Sequence, residues 1–227
     1  MKLGLLGGTF NPIHRCHLSI AADVRTTLQL DQIVFIPTGD PPHKPGHELA
    51  PAAARLQMVR MAVETTPAFT VSDIEVRRTG KSYSIETIEA LQAEHGATTA
   101  LYFIIGLDAF LDLPTWRRAD ELLSHCHFVV VRRPRTSFLM LQGQRWLPAI
   151  PRRDLERLDA AEGRLDVPVA NARSLVLLHV PPCDVSASDI RRRIRHGESV
   201  SALLPERVES YIMNAKLYQE EADPTGG

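Results

Sequence analysis

Lys2-Leu3-Gly4-Leu5-Leu6-Gly7-Gly8-Thr9-Phe10-Asn11-Pro12-Ile13-His14-Arg15-Cys16-His17-Leu18 is the stretch whose reading decides the fold. A short apolar run ending in Gly-Gly fits a buried parallel strand. Cys16 to Leu28 then carries Leu18, Ala21, Ala22, Val24 and Leu28 at helical spacing. In an open parallel sheet, ligands sit beyond the carboxyl ends of the strands, so this first turn is the place to look for chemistry. Gly7 and Gly8 let the backbone approach a ligand closely, and the helix start after them offers free N–H groups to phosphate. His14 and His17 are three apart and project to the same side of a first helical turn, a clamp suited to a polyphosphate. Gly-Gly also ends ordinary turns, and two such histidines also occur as surface residues. A zinc site is the weaker reading, because H-E-x-x-H is absent and no third ligand is evident.

The same alternation continues along the chain. Gln32–Pro37, Phe69–Val71, Leu101–Ile105, Phe128–Val131 and Leu175–His179 read as strands. Residues 51–65, 84–95, 119–124, 186–196 and 205–218 read as helices, with Gly96 and Gly197 as stops. Alternating β and α segments predict an α/β fold, a Rossmann-like doubly wound parallel sheet with helices on both faces. Residues 1–218 are expected to form one domain. Within it, 135–172 is the least regular stretch and reads as an irregular insertion; 219–227 reads as a flexible tail.

The 227 residues are 44% apolar and carry 26 Lys+Arg against 27 Asp+Glu, a net charge of -1. That balance argues against a nucleic-acid backbone or an anionic membrane as the main partner. No run approaches the ~18 apolar residues of a membrane span, and Gly7-Gly8 interrupts the first run before it could serve as a signal segment. Cys16, Cys126 and Cys183 are an odd number without a C-x-x-C pair, which predicts neither a disulfide framework nor a zinc ribbon. The expectation is a cytoplasmic protein in a reducing compartment. A homo-oligomer stays open.

A second constellation is Val185-Ser186-Ala187-Ser188-Asp189-Ile190-Arg191. Ser186 and Asp189 have capping-box spacing at a helix start. There Ser188, Arg191 and backbone amides can converge on anionic oxygens, or else Arg191–Arg195 is a solvated basic face. Two familiar phosphate loops are excluded. Gly80-Lys81-Ser82 imitates the end of a Walker A loop, but Glu75 stands where its first glycine belongs. Nor does the first turn spell G-x-G-x-x-G.

Taken together, these segments resemble the nucleotidylyltransferases. Gly7–His17 is similar to their (H/T)-x-G-H signature and Val185–Arg191 to their I-S-S-T-x-I-R signature. Phe35-Ile36-Pro37 with Pro41-Pro42-His43-Lys44, Gly80–Ser84, Tyr102–Ala109, Leu113–Arg117 and Val129–Pro134 resemble bacterial nicotinate-nucleotide adenylyltransferases in particular. Asn11 stands where that family often has Asp, Cys16 where the signature has Gly, and Ala187-Ser188 replaces Ser-Thr.

The resemblance implies adenylyl transfer from ATP to nicotinate mononucleotide without a covalent enzyme intermediate. It makes His14, His17 and Arg191 the catalytic candidates. Gly7, Gly8, Thr9, Phe10, Gly106, Asp108, Arg133, Ser186, Ser188 and Ile190 would line ATP. Lys44, Ser84 and Trp116 would meet the mononucleotide, and Mg2+ would arrive on the ATP phosphates with no metal held by the protein itself. Two alternatives remain at this point. One is a relative acting on nicotinamide mononucleotide or phosphopantetheine, the other a nucleotide-binding module without turnover.

Overall fold

The computed structural model describes residues 1–41, 49–132, 136–160, 163–169, 171 and 173–219. Its centre is a seven-stranded sheet of order β3-β2-β1-β4-β5-β7-β6. The strands are β1 (Lys2–Gly8), β2 (Gln32–Pro37), β3 (Phe69–Val71), β4 (Ala100–Gly106), β5 (His127–Val131), β6 (Gly163–Pro168) and β7 (Ser174–His179). All neighbours pair in parallel except β6, which runs antiparallel to β7 at the edge. The α/β class with a mainly parallel sheet is the predicted one.

Side chains alternate across this sheet, and both faces are covered. Leu6, Ile33, Phe35 and Ile104 meet α1 (Arg15–Leu28), α2 (Ala52–Val63), α8 (Ala187–Arg195) and α9 (Glu206–Asn214). Leu3, Leu5, Val34, Phe103 and Phe128 meet α4 (Ser84–His95), α5 (Leu107–Leu111), α6 (Ala119–His125) and α7 (Arg152–Ala160). A strand buried on both faces needs apolar residues at every position, which is why these segments read as unbroken runs. A short helix, α3 (Ile74–Arg77), links β3 to the loop before α4.

The stretch read as irregular is built into the core instead. Phe138 and Leu141 from a 3-10 turn, and Leu155 and Leu158 from α7, are buried in the second apolar cluster. β6 then closes the sheet edge, where Arg164 and Asp166 form an exposed ion pair at 2.9 Å. Charged residues on such a strand discourage pairing with another chain.

The absence of a disulfide, expected from the cysteine pattern, is overturned. Cys16 is bonded to Cys183, with Cα atoms 5.6 Å apart across a sequence separation of 167. Cys126 is a free, buried thiol, and burial pushes its pKa up to about 12. Among the described residues, no helix is long and apolar enough to cross a membrane.

Candidate active site

Strand order reverses between β1 and β4, and there the sheet splits. Their pairing ends at Leu6 and Ile104, after which β1 follows β2 to Pro37 and β4 follows β5 to Val131. A crevice opens at such a switch point. It holds a cavity of about 1360 Å³, lined by Gly7, Gly8, Thr9, Phe10, His14, His17, Ser84, Gly106, Asp108, Trp116, Ser186, Ser188 and Arg191 among others. This exceeds the ~300–1,000 Å³ of a site for one drug-sized ligand, leaving room for two nucleotides.

The floor forms where β1 turns into α1. A Cβ on Gly8 would lie 3.1 Å from the Phe10 ring, so glycine leaves the space that Phe10 fills. Phe10 takes a left-handed backbone (φ 46°) and is buried with its ring 6.0 Å from that of Phe35. His14 ends the turn as the residue before α1. Its ring centroid lies 3.8 Å from that of His17, so the pair predicted from spacing does meet. The His14 backbone N–H donates to His17 Nδ1 at 3.2 Å. In the neutral ring this leaves the proton on Nε2, so His17 acts as a hydrogen-bond donor there.

Helix α8 brings the second set of groups. Ser186 caps it, accepting from the Asp189 N–H at 3.1 Å, and its Oγ lies 3.2 Å from that of Ser188. Only half of the predicted capping box forms, because the Asp189 carboxylate accepts from Arg192 and Arg193 instead. Arg191 turns the other way and donates to the Asn11 carbonyl at 2.9 Å, tying α8 to the first turn. Thus Arg192 and Arg193 are the solvated face, and Arg191 belongs to the cavity wall. Ile190 is a correction. Its side chain is fully buried in the core and its N–H already bonds to the Ser186 carbonyl, so it packs behind the site. Lys44 and Arg133 lie outside the described residues.

At the other end, Trp116 is half-buried with its ring edge-on to Phe103 at 6.4 Å. Tyr83 precedes α4, and Arg117 lies 4.6 Å from the centre of the Tyr83 ring. Among the described residues no side chain caps α4, so none of them engages its first-turn amides as a cap.

Two residues that sequence reasoning passed over hold these walls in place. Arg55 on α2 is 1% exposed, and its guanidinium donates to the carbonyls of Thr9, Thr38, Gly39 and Ala50 at 2.6–3.0 Å. It thereby joins the turn after β1 to the turn after β2. Glu75 is buried against Thr87, whose hydroxyl donates to it at 2.8 Å, and burial raises its carboxyl pKa. Gly39 threads between them. Its N–H donates to Ser82 Oγ, and a Cβ there would meet the Glu75 carbonyl at 2.2 Å. Gly39→Ala should therefore cost about 1–3 kcal/mol through forced backbone movement. Thermal denaturation checks this, and an unchanged melting temperature would count against the tight threading.

The family described as cytidylyltransferase-like matches residues 5–193. A protein of Geobacter metallireducens called a probable nicotinate-nucleotide adenylyltransferase is 42% identical over 97% of this chain and 100% of its own. One of Pelobacter propionicus with the same description is 42% identical over 97% of this chain and 99% of its own. Among solved structures, Plasmodium falciparum nicotinic acid mononucleotide adenylyltransferase complexed with NaAD superposes with a TM-score of 0.70 at 14% identity. It covers 96% of this chain and 97% of that one. At that identity the likeness establishes a shared fold.

Proposed function

The chain belongs to the nicotinate-nucleotide adenylyltransferases of the cytidylyltransferase-like family, and from that premise we propose how its own residues carry the reaction. It transfers the adenylyl group of ATP to nicotinate mononucleotide, giving nicotinate adenine dinucleotide and pyrophosphate. A phosphate oxygen of the mononucleotide attacks the α-phosphorus in line, and the bond to the bridging β-phosphate oxygen breaks. Such a displacement needs positioning and charge stabilisation in the main, and no nucleophilic side chain.

The observation that carries this assignment of roles is the meeting of two helix starts at the β1–β4 split, one bringing His14 and His17, the other Ser186, Ser188 and Arg191. Thr9, Phe10, Gly7 and Gly8 would lie along ATP, with Gly106 and Asp108 at its ribose. His17 Nε2–H, the α8 hydroxyls and Arg191 would face the phosphates as negative charge redistributes toward pyrophosphate. Imidazoles, amides, hydroxyls and a guanidinium suit a metal delivered on the nucleotide, so we assign Mg2+ to the ATP phosphates, where it would neutralise charge. Lys44 and Arg133 would add charge at the mononucleotide and ATP ends. Residues 1–218 would act as one domain, and the use of ATP supports a cytoplasmic location.

Pyrophosphate release from ATP and nicotinate mononucleotide tests the reading. Folded protein that releases none with both substrates present would favour a binding module. Trp116→Ala refines it. The half-buried indole can supply a stacking face for the pyridine ring, so its loss should weaken the mononucleotide by about 1–3 kcal/mol, by analogy with base–aromatic contacts. ATP should be affected less. Equal loss for both substrates with a large fall in melting temperature would make Trp116 a packing residue only.

A further inference from the structure

We propose that the Cys16–Cys183 pair is a reversible redox site whose disulfide form binds ATP more tightly than its dithiol form. This rests on the ATP subsite assigned above. Cys16 lies in the first turn of α1, directly before His17, and Cys183 lies three residues before Ser186, which caps α8. Both cysteines line the large cavity, so the cross-link joins its two phosphate-facing helix starts.

Besides the disulfide, Arg191 at the α8 start donates to the Asn11 carbonyl, and Arg15 at the α1 start donates through its N–H and its guanidinium to the Leu203 and Ser201 carbonyls beyond α8. Those contacts hold the helices together without the disulfide. They do not hold the run Pro181-Pro182-Cys183-Asp184, which is exposed apart from half-buried Cys183. In the dithiol form, ATP must order that run on binding; in the disulfide form it is already placed. The half-buried position of Cys183 also admits a small thiol or disulfide, whereas Cys126 is fully buried and cannot compete for the bond. Disulfides in reducing compartments are usually catalytic or redox-sensing, which fits a bond placed at a substrate site.

Formation is a two-electron exchange. The two thiols lose two protons and two electrons to a low-molecular-weight disulfide of the oxidised-glutathione class. One S–S bond forms in the protein, and the reagent's S–S bond breaks to give two thiols. Coupling is reciprocal, so whatever factor the disulfide adds to ATP affinity, ATP adds to the stability of the disulfide.

The test uses the full chain equilibrated in glutathione buffers, with protein thiols counted by a chromogenic reagent, with and without ATP and with no mononucleotide present. Unfolded oxidised protein should show the Cys126 thiol alone, and unfolded reduced protein the thiols of Cys16 and Cys183 as well. ATP should favour the disulfide by about five- to tenfold, a midpoint shift of roughly 20–30 mV to more negative potential. In turnover, reduction should raise the KM for ATP by a similar factor and change that for the mononucleotide by less than about twofold. Cys183→Ser should show the reduced value under either condition, and if it fails to fold, reduction of the unaltered chain gives the same comparison. An ATP-independent midpoint, or a lower KM for ATP on reduction, overturns the proposal while leaving the adenylyltransferase reading standing. Absent turnover with an ATP-shifted midpoint supports the redox site and counts against the acceptor assignment.

Discussion

His17→Ala should lower turnover by roughly 10²–10³, the scale for deleting one donor that is aimed at developing charge. The expectation rests on how firmly the ring is held. Its Nδ1 accepts from the His14 N–H, Phe10 meets its ring edge-on at 5.0 Å, and the His14 ring lies 3.8 Å away. A donor fixed before substrate arrives needs no reorganisation as charge shifts toward pyrophosphate. The ring is half-buried, and the fold loses its cap to the His14 N–H, about 1 kcal/mol, together with its contacts to the Phe10 and His14 rings. Turnover and melting temperature should therefore separate, the first falling steeply and the second by a few degrees. His14→Ala should also be severe, and the double substitution should fall short of the product of the two, because the rings act as one unit. If turnover stays near normal while the melting temperature falls, the Nδ1 contact is simply a helix cap.

Much of this candidate site was legible because its residues sit where the sheet's own logic places a crevice. β1, the Gly-Gly turn and the His pair are contiguous, and a parallel sheet sends its ligands to that end. The segments buried on both faces were equally plain as apolar runs. β6 was not, because Gly163–Pro168 has no apolar run and becomes a strand only by pairing with β7. α7 was hidden for a related reason: Leu155 and Leu158 are its buried residues in an otherwise charged segment. Arg55 could have been found. It lies four residues before Val59 and seven before Ala62, on the face of α2 that the apolar spacing marks as buried. A buried arginine requires carbonyl partners, and so points to loops packed nearby. The disulfide had a signal too, since Cys16 lies within the first of the two signature-like segments and Cys183 just before the second. Counting cysteines missed it, because the count takes no account of which segments meet in space.

Nicotinate mononucleotide should be preferred over its amide by roughly 30- to 1000-fold in kcat/KM, a net of about 2–4 kcal/mol. The preference follows from the start of α4. Ser84 opens that helix with no side-chain cap among the described residues, and both Tyr83 and Ser84 line the cavity. Free first-turn amides attract a carboxylate, and the helix dipole adds about 0.3–1 kcal/mol, or up to about 2 in a partly buried site. A hydrogen bond to a charged group adds about 1.5–3 kcal/mol. Arg117, whose guanidinium lies over the Tyr83 ring at the same cavity wall, adds positive charge nearby. Glu86 is the first-turn acid that could oppose this, but its carboxylate lies 3.6–3.7 Å from the Arg117 and Arg78 guanidiniums. Against these gains stands the loss of water from the carboxylate, which is why the net is smaller than the sum. A neutral carboxamide gains little from the dipole. Comparing kcat/KM for the two mononucleotides at saturating ATP decides the matter. A ratio near one would mean that the α4 amides do not reach the ring substituent, and that this chain uses acid and amide alike.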